Sequence, residues 1–275
     1  MAGTLYVVAT PLGNLGDLSP RAADTLKRVA VVAAEDTRHS KPLLTHAGSR
    51  AELISFHAHS SDRALERILR ILAEGRDVAL ITDAGTPAIS DPGVELVAAA
   101  RERGIPVVTM PGPNAVAASL AVSGIAGDRY LFLGFLPRKG SDRRRFLLTA
   151  AQSEWTVVIF EAPNRVTQLL GDLAEVCGPD RQAAVSRELT KVFEETRSGT
   201  LQELSQHYAE APVRGEVTVV IAGTGKEYVA EPPPDPGERA RALLAEGLSR
   251  KDVAHRLAEE TGISRNSAYR LVSEL

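Results

Sequence analysis

Four short segments rich in glycine, proline and carboxylates stand directly after apolar runs in the first 115 residues. They cover residues 10–17, 35–39, 83–93 and 111–115. Ligands bind beyond the carboxyl ends of the strands in an open parallel sheet, so four such segments at one edge favour a ligand site over ordinary turns. Rigid loops of this composition expose backbone amides and carbonyls that can hold a polar ligand.

These segments lack the common motifs of nucleotide and metal sites. Neither the dinucleotide fingerprint G-x-G-x-x-G nor a P-loop ending in G-K-[ST] occurs, and no H-E-x-x-H spacing is present. Nothing resembles the G-x-S-x-G turn of serine hydrolases. A hydrolase or a nucleoside triphosphatase is therefore disfavoured, and we expect no metal.

Charged residues of the second half offer a different chemistry. The run Arg187-Glu188-Leu189-Thr190-Lys191 carries both signs of charge, and a salt-bridged surface turn is the alternative to a functional role. The stretch 137–145 holds five basic residues against one acid, although the net charge of the chain is -3. Nucleic-acid contact and an ordinary solvated helix start both remain open for this stretch.

The composition is that of a globular protein. The chain has 275 residues, 44% hydrophobic and 24% charged, which suits two domains better than one. No apolar run is long enough to span a bilayer, and no basic leader precedes the first one. Cys177 is the only cysteine, which excludes an internal disulfide and suits a reducing cytosol. We expect a cytoplasmic protein in which Cys177 is a buried small apolar residue.

Periodicity indicates an α/β fold. Nearly continuous apolar runs predict buried parallel strands at 5–9, 30–34, 53–56, 78–82 and 105–110, separated by helical patterns. The helical patterns start at Ser19-Pro20 and cover 62–74 and 92–103, with Gly75 and Gly104 placed to end the latter two. Further strands at 130–135, 155–160, 183–187 and 216–222, with helices at 143–151 and 165–176, predict a second α/β domain with a mixed sheet.

A proline-rich stretch and a helical tail complete the chain. Four prolines in 231–237 predict a linker without helix or strand. In the tail, Ser249 and Asp252 form a capping box, and Ser264 can cap a last helix. We expect domains at 1–114 and 115–228, a linker at 229–237 and a helix-turn-helix-like domain at 238–275, either a nucleic-acid module or a plain helical cap.

Taken in order, these motifs resemble the tetrapyrrole methylase superfamily. Within it, the chain is similar to the group of ribosomal RNA small subunit methyltransferases that methylate a cytidine 2′-hydroxyl. The matching segments run through residues 4–223: 5–17, 34–38, 83–93, 111–115, 134–139, 160–165, 187–191 and 215–221. The run 56–61 departs from the family pattern, since His59 fits but its neighbours do not.

The resemblance implies two α/β domains with S-adenosylmethionine in the cleft between them, commonly in a homodimer. Residues that would bind this donor are Pro11, Asp83, Gly85, Pro87, Ile89, Ser90, Asp91, Pro111, Gly112, Pro113, Ala115, Phe135 and Ala222. The acceptor would be small-subunit (16S) ribosomal RNA, in the ribosomal subunit or free.

Methyl transfer to a ribose hydroxyl requires that the hydroxyl lose its proton as it attacks. Candidates for a base or a polarising cation are Asp36, His59, Glu188 and Lys191, and we favour Lys191 and Glu188 as catalytic residues. Residues assigned to contacts with the substrate are Asp36, Arg38, His59, Arg138, Lys139, Arg143 and Arg187, with Arg144 and Arg145 beside them on the RNA backbone.

Two other functions remain open. A corrin or porphyrin methylase would use the same donor cleft on a small macrocycle, but the linker, tail and arginine cluster have no evident use there. A ligand-sensing DNA-binding protein would use the tail to read a duplex. Residues 237–275 carry seven basic and six acidic residues, and this near balance disfavours a DNA reader.

Overall fold

The computed structural model describes residues 2–58, 60–210, 214–225, 235–261 and 263–275. Each apolar run of the sequence becomes a strand within one of two five-stranded sheets, and three helices follow near the carboxyl terminus. Among these residues, no helix combines the length and the apolarity that crossing a bilayer would require.

The first sheet is wholly parallel, as the continuous apolar runs predicted. Its strands are β1 (Leu5–Val8), β2 (Val31–Ala34), β3 (Glu52–Ser55), β4 (Val78–Ile81) and β5 (Val107–Met110). They lie in the order β3-β2-β4-β1-β5, so the carboxyl ends of all five meet at one edge. Helices pack on its faces: α1 (Pro20–Arg28), α2 (Thr37–His46), α3 (Asp62–Ala73) and α4 (Val94–Glu102).

Helix α2 corrects the prediction of a loop at 35–39. Only Glu35 and Asp36 are outside the helix, and the Asp36 side chain caps it by accepting from the Arg38 amide. The helix was missed because Pro42 lies inside it, where proline removes a backbone donor and usually ends a helix.

The second sheet is mixed, as predicted. Its strands are β6 (Tyr130–Phe135), β7 (Thr156–Glu161), β8 (Gln182–Arg187), β9 (Glu195–Thr200) and β10 (Val217–Ile221), in the order β6-β7-β10-β8-β9. Strands β6 and β7 are parallel, while β10 runs antiparallel to both of its neighbours. The helices of this half are α5 (Ala115–Ser123), α6 (Ser141–Gln152), α7 (Val166–Cys177) and α8 (Leu201–Glu210).

Three of these elements escaped the sequence analysis. Helix α5 is apolar on all sides (AVAASLAVS), so it lacks the alternation of apolar and polar faces that marks a surface helix. Strand β9 is polar (ETRSGT) and forms an edge of the sheet, and α8 follows it without a break. The sequence of β9 has a low strand propensity, but its pairing along the whole of β8 makes it a strand.

The tail is a unit with its own apolar core. Helices α9 (Pro236–Ala245), α10 (Arg250–Thr261) and α11 (Arg265–Glu274) bury Leu243, Val253, Leu257 and Val272 against one another. Ser249 accepts from the Asp252 amide and Ser264 caps α11, as predicted.

The linker prediction is wrong at its carboxyl-terminal end. Pro236 and Gly237 belong to α9, which Asp235 caps, because proline needs no amide partner in the first turn of a helix. Residues 226–234, which hold the remainder of the predicted linker, lie outside the described residues.

Candidate functional site

The loops after β1, β4 and β5 are tied together at the carboxyl edge of the first sheet. Thr10 and Gly85 exchange backbone hydrogen bonds of 2.8 and 3.0 Å, so the loop carrying Pro11 lies on the loop that begins at Asp83. The Thr86 hydroxyl donates to the Pro113 carbonyl at 3.2 Å. Three segments that are distant in sequence therefore form one surface around the predicted donor residues.

The backbone of the loop 83–93 is strained. Ala88 and Ser90 have φ of 68° and 63°, values that residues with a β-carbon rarely adopt. Among the described residues, the only other non-glycine positions with positive φ are Glu188 and Thr190, in the turn between β8 and β9. Such strain persists only where the surroundings impose it, and it concentrates at binding and catalytic sites.

Carboxylates crowd the ends of β2 and β4. The Thr82 hydroxyl donates to Glu35 at 2.7 Å, and the Asp36 amide donates to Asp83 at 3.2 Å. His39 lies 3.3 Å from the other oxygen of Asp83. The charges of Glu35, Asp83 and Glu216 all act on Asp91, so negative charge is concentrated at this edge of the sheet.

Burial and the neighbouring carboxylates both change the pKa of Asp91. Partial burial, followed by repulsion from Glu35, Asp83 and Glu216, raises the pKa of Asp91 to about 6, although a hydrogen bond with Thr82 opposes the shift. A cationic ligand at this place would relieve the repulsion. The cluster therefore fits a ligand that carries positive charge. Among the described residues, no group of three or more histidine, cysteine or carboxylate side chains is arranged to hold a metal ion.

The second sheet approaches these loops at two glycines. A β-carbon at Gly13 would overlap the methylene groups of Lys191, and one at Gly134 would lie 2.9 Å from the Ser90 hydroxyl oxygen. Gly134 also has φ of 63°. Glycine at both positions allows the β8–β9 turn and the end of β6 to contact the first sheet's loops. We call the region where they meet the cleft.

Lys191 is paired with two carboxylates at this contact. Its ammonium lies 2.9 Å from Glu188 and 3.3 Å from Glu216. Partial desolvation opposes its charge, but the hydrogen bonds and charges of both carboxylates raise the pKa of Lys191 above its usual value. The hydrogen bond from Lys191 in turn lowers the pKa of Glu188. Both predicted catalytic residues are thus charged at neutral pH, so Lys191 can polarise a hydroxyl but is a poor base.

Phe135 follows Gly134 at the end of β6 that contacts the first sheet's loops, and Ala222 lies at the opposite end of the second sheet. Phe135 is 58% exposed, with its ring 5.6 Å from that of Phe160. Ala222 follows the opposite end of β10, where its amide donates to Gln182, and it lines a separate cavity of about 450 Å³. At about 3.3 Å per residue, the length of β10 separates Ala222 from Phe135, so the structure does not bring Ala222 to the other predicted donor residues.

The basic loop after β6 is held in place by Arg143, which is buried and not exposed. Arg143 is 5% exposed, donates to Asp172 at 2.6 and 2.9 Å, and donates to the Pro137 carbonyl at 3.1 Å. Its predicted contact with substrate is therefore wrong. Arg143 fixes the backbone from which Arg138 and Lys139 extend into solvent.

The other predicted substrate residues differ in availability. Arg38 is 86% exposed and paired with Asp36, and the hydrogen bond from Arg38 lowers the pKa of Asp36. Arg187 donates to Glu195 at 2.6 Å across the β8–β9 pair, so a contact with RNA would require that ion pair to open. His59 lies outside the described residues.

Sequence reasoning did not single out Glu35, Thr82 and Glu216. All three lie in or beside the segments that were quoted, but nothing in their spacing shows that they surround Asp91. Their proximity depends on β2 and β4 being neighbours and on the second sheet's approach.

Almost the whole chain is similar to known proteins. Residues 4–205 match the family of tetrapyrrole (corrin/porphyrin) methylases. Ribosomal RNA small subunit methyltransferase I of Synechocystis sp. is 44% identical over 274 residues, covering 99% of this chain and 98% of that protein. The protein of the same name from Pseudomonas aeruginosa is 44% identical over 270 residues, covering 98% and 96%.

A solved structure supports the fold. Uroporphyrin-III C-methyl transferase from Thermus thermophilus, complexed with S-adenyl homocysteine, superposes with a TM-score of 0.59 at 20% identity. The superposition covers 80% of this chain and 97% of that one.

We expect Asp91→Asn to stabilise the ligand-free protein in a pH-dependent way. The folded pKa of about 6 lies above the ordinary 3.8, so the folded state holds this proton more tightly, and ionisation costs stability as pH rises through 6. Discounted for solvent screening, the gain is about 1 kcal/mol at pH 8 and near zero at pH 4. Urea unfolding at both pH values measures it, with Asp24→Asn as the exposed control; an equal gain at both values would contradict the assignment.

We expect Arg143→Met to destabilise the protein by about 2–4 kcal/mol, since it leaves Asp172 and the Pro137 carbonyl without their partner. The neighbouring Arg144→Met, on the exposed side of α6, is the matched control and should change stability by less than about 0.5 kcal/mol. Urea unfolding of the two variants compares them. Equal effects would show that Arg143 does not hold the loop.

Proposed function

Because the chain belongs to the family of tetrapyrrole (corrin/porphyrin) methylases, we propose that it transfers a methyl group from S-adenosylmethionine to small-subunit ribosomal RNA. The observation that carries this proposal is the match with relatives named for that reaction over almost the entire chain, including the tail. The acceptor in this proposal is the ribose 2′ oxygen of a cytidine in 16S RNA, as the motifs of the sequence imply.

Residues of the first sheet's edge fit the donor. S-adenosylmethionine supplies an activated methyl group on a sulfonium and carries an ammonium besides. The carboxylate cluster around Asp91 suits those positive charges, and the joined loops at Pro11, 83–91 and 111–115 offer backbone groups for the rest of the molecule. Phe135, next to Gly134, provides an exposed aromatic face beside the same loops.

Lys191 would act on the acceptor hydroxyl. It is charged, partly desolvated and held between Glu188 and Glu216 at the contact between the sheets. A fixed cation there would stabilise negative charge that develops on the attacking oxygen, and such preorganised charge is often a large contribution to catalysis. Glu188, kept ionised by Lys191, would orient Lys191. As the oxygen takes the methyl group, the sulfonium becomes the neutral thioether of S-adenosylhomocysteine and the hydroxyl proton passes to solvent water.

The exposed side of the loop after β6 would contact the RNA backbone. Arg138, Lys139, Arg144 and Arg145 are all exposed, and the ion pair of Arg145 is with Asp142, which is exposed as well. Four cations on one short segment suit phosphates, despite the chain's net charge of -3.

Assembly, location and domain limits belong to the same proposal. Family resemblance supports a homodimer, and an RNA-modifying role suits the cytoplasm. We place the domain limits at residues 114 and 228, in keeping with the packing of α5 on the second sheet.

The alternative functions have less support. A macrocycle methylase would account for the cleft but not for relatives that match 98–99% of this chain and are named for ribosomal RNA. A duplex-binding sensor would leave the paired Lys191 and the cleft unexplained.

We expect the protein to transfer label from radiolabelled S-adenosylmethionine to purified small ribosomal subunits that lack their native modifications. Nuclease digestion should place the label on a ribose 2′ oxygen. Label on a base would refute the proposed chemistry. Donor binding by calorimetry without any label on the subunits would refute the substrate and favour the macrocycle.

We expect Lys191→Met to lower kcat by about 100-fold with little change in donor affinity, because it removes a charge that acts mainly in the transition state. Lys139→Met, which removes one proposed phosphate contact, should raise KM for the subunit and leave kcat nearly unchanged. Steady-state kinetics and donor calorimetry distinguish the two. A normal kcat in folded Lys191→Met would exclude the catalytic role.

A further inference from the structure

Two adjacent apolar side chains project from the β8–β9 turn. Val192 is 92% exposed and Phe193 is 73% exposed, more than any other large apolar residue among those described. An isolated exposed apolar residue is ordinary, but an exposed phenylalanine leaves a large hydrophobic surface in water.

Several hydrogen bonds hold the turn that presents them. Glu188 and Thr190 have φ of 51° and 66°, and the turn is closed by hydrogen bonds from the Lys191 amide to Glu188 and from the Glu194 amide to Lys191. The Glu194 carboxylate also accepts from the Thr190 amide at 2.7 Å. Strained backbone held by several hydrogen bonds indicates that the exposure of Phe193 is imposed by the fold.

The position of the turn connects Phe193 with the cleft. Lys191 packs on Gly13 of the first sheet's loop, and Phe193 is only two residues farther along the chain. Two residues span at most about 7 Å, a distance comparable with the size of one nucleoside. A nucleotide whose ribose lies at Lys191 would thus have its base within reach of Phe193.

The charge of the turn and the area of its apolar surface indicate what kind of group binds to Phe193. Both cations of the turn are already paired, Lys191 with Glu188 and Arg187 with Glu195, so the turn is poorly suited to phosphate. A stable interface with a second copy buries about 800 Å² per partner, so these two side chains do not make one by themselves. A flat, uncharged π face of the size of one aromatic ring matches a nucleic-acid base.

We propose that Phe193 is the stacking platform for the base of the RNA nucleotide that is methylated, with Val192 beside it. This inference rests on the proposed function, since it requires RNA in the cleft. Stacking on Phe193 would hold an unpaired base outside its helix and so place the attached ribose at Lys191.

The test is the kinetics of methyl transfer to small ribosomal subunits. Phe193→Ala should lower kcat/KM by roughly ten- to a hundred-fold, the usual effect of losing one aromatic–base stack. Phe193→Trp should retain most of the activity, whereas Phe193→Leu, which keeps an apolar side chain without a π face, should lose as much as Phe193→Ala. Donor affinity by calorimetry and the thermal midpoint should be unchanged in all three.

Tyr130→Ala provides the control, because Tyr130 is an exposed aromatic at the opposite end of the second sheet. Wild-type kcat/KM in Phe193→Ala, full rescue by Phe193→Leu, or a loss of dimer mass in light scattering would overturn the inference. If the wild-type protein itself does not label the subunits, the proposed function fails and the inference fails with it. Labelling by wild type and Phe193→Ala alike would refute the inference alone.

Discussion

The contact between the two sheets at Gly13 and Gly134 is the constraint on which the site depends. Lys191 packs where Gly13 has no side chain, and the Ser90 hydroxyl packs where Gly134 has none. A side chain at Gly13 would displace the Lys191 side chain, and one at Gly134 would crowd the Ser90 hydroxyl on a backbone whose φ of 63° favours glycine. Each half supplies an incomplete site, with carboxylates on one side and a paired ammonium and aromatic rings on the other.

The distribution of charge follows from that closure. Partial burial of Asp91, together with the negative charges of Glu35, Asp83 and Glu216, raises the pKa of Asp91 at some cost to the stability of the ligand-free protein. Lys191 compensates only its own two partners. A fold that keeps such repulsion is suited to a cationic ligand, and the methyl donor carries positive charge.

Rigid support lies behind each exposed functional group. Buried Arg143 holds the backbone beneath Arg138 and Lys139, while Glu194 closes the strained turn beneath Lys191 and Phe193. The groups proposed to meet RNA are therefore side chains on a backbone that hydrogen bonds already hold. Preorganisation of this kind lowers the entropy that would otherwise be lost on binding.

The sequence by itself determined the parallel order of the first half, the mixed second sheet and the helical tail, because continuous apolar runs and capping residues act locally. It also placed the loops at one sheet edge, since all carboxyl ends of a parallel sheet coincide. Burial of Arg143, displacement of Ala222 to the far end of β10 and the edge pairing of β9 were decided by tertiary structure. These outcomes depend on which surfaces meet across long sequence separations, and the local pattern of a polar strand or a basic stretch is the same whether it is exposed or paired.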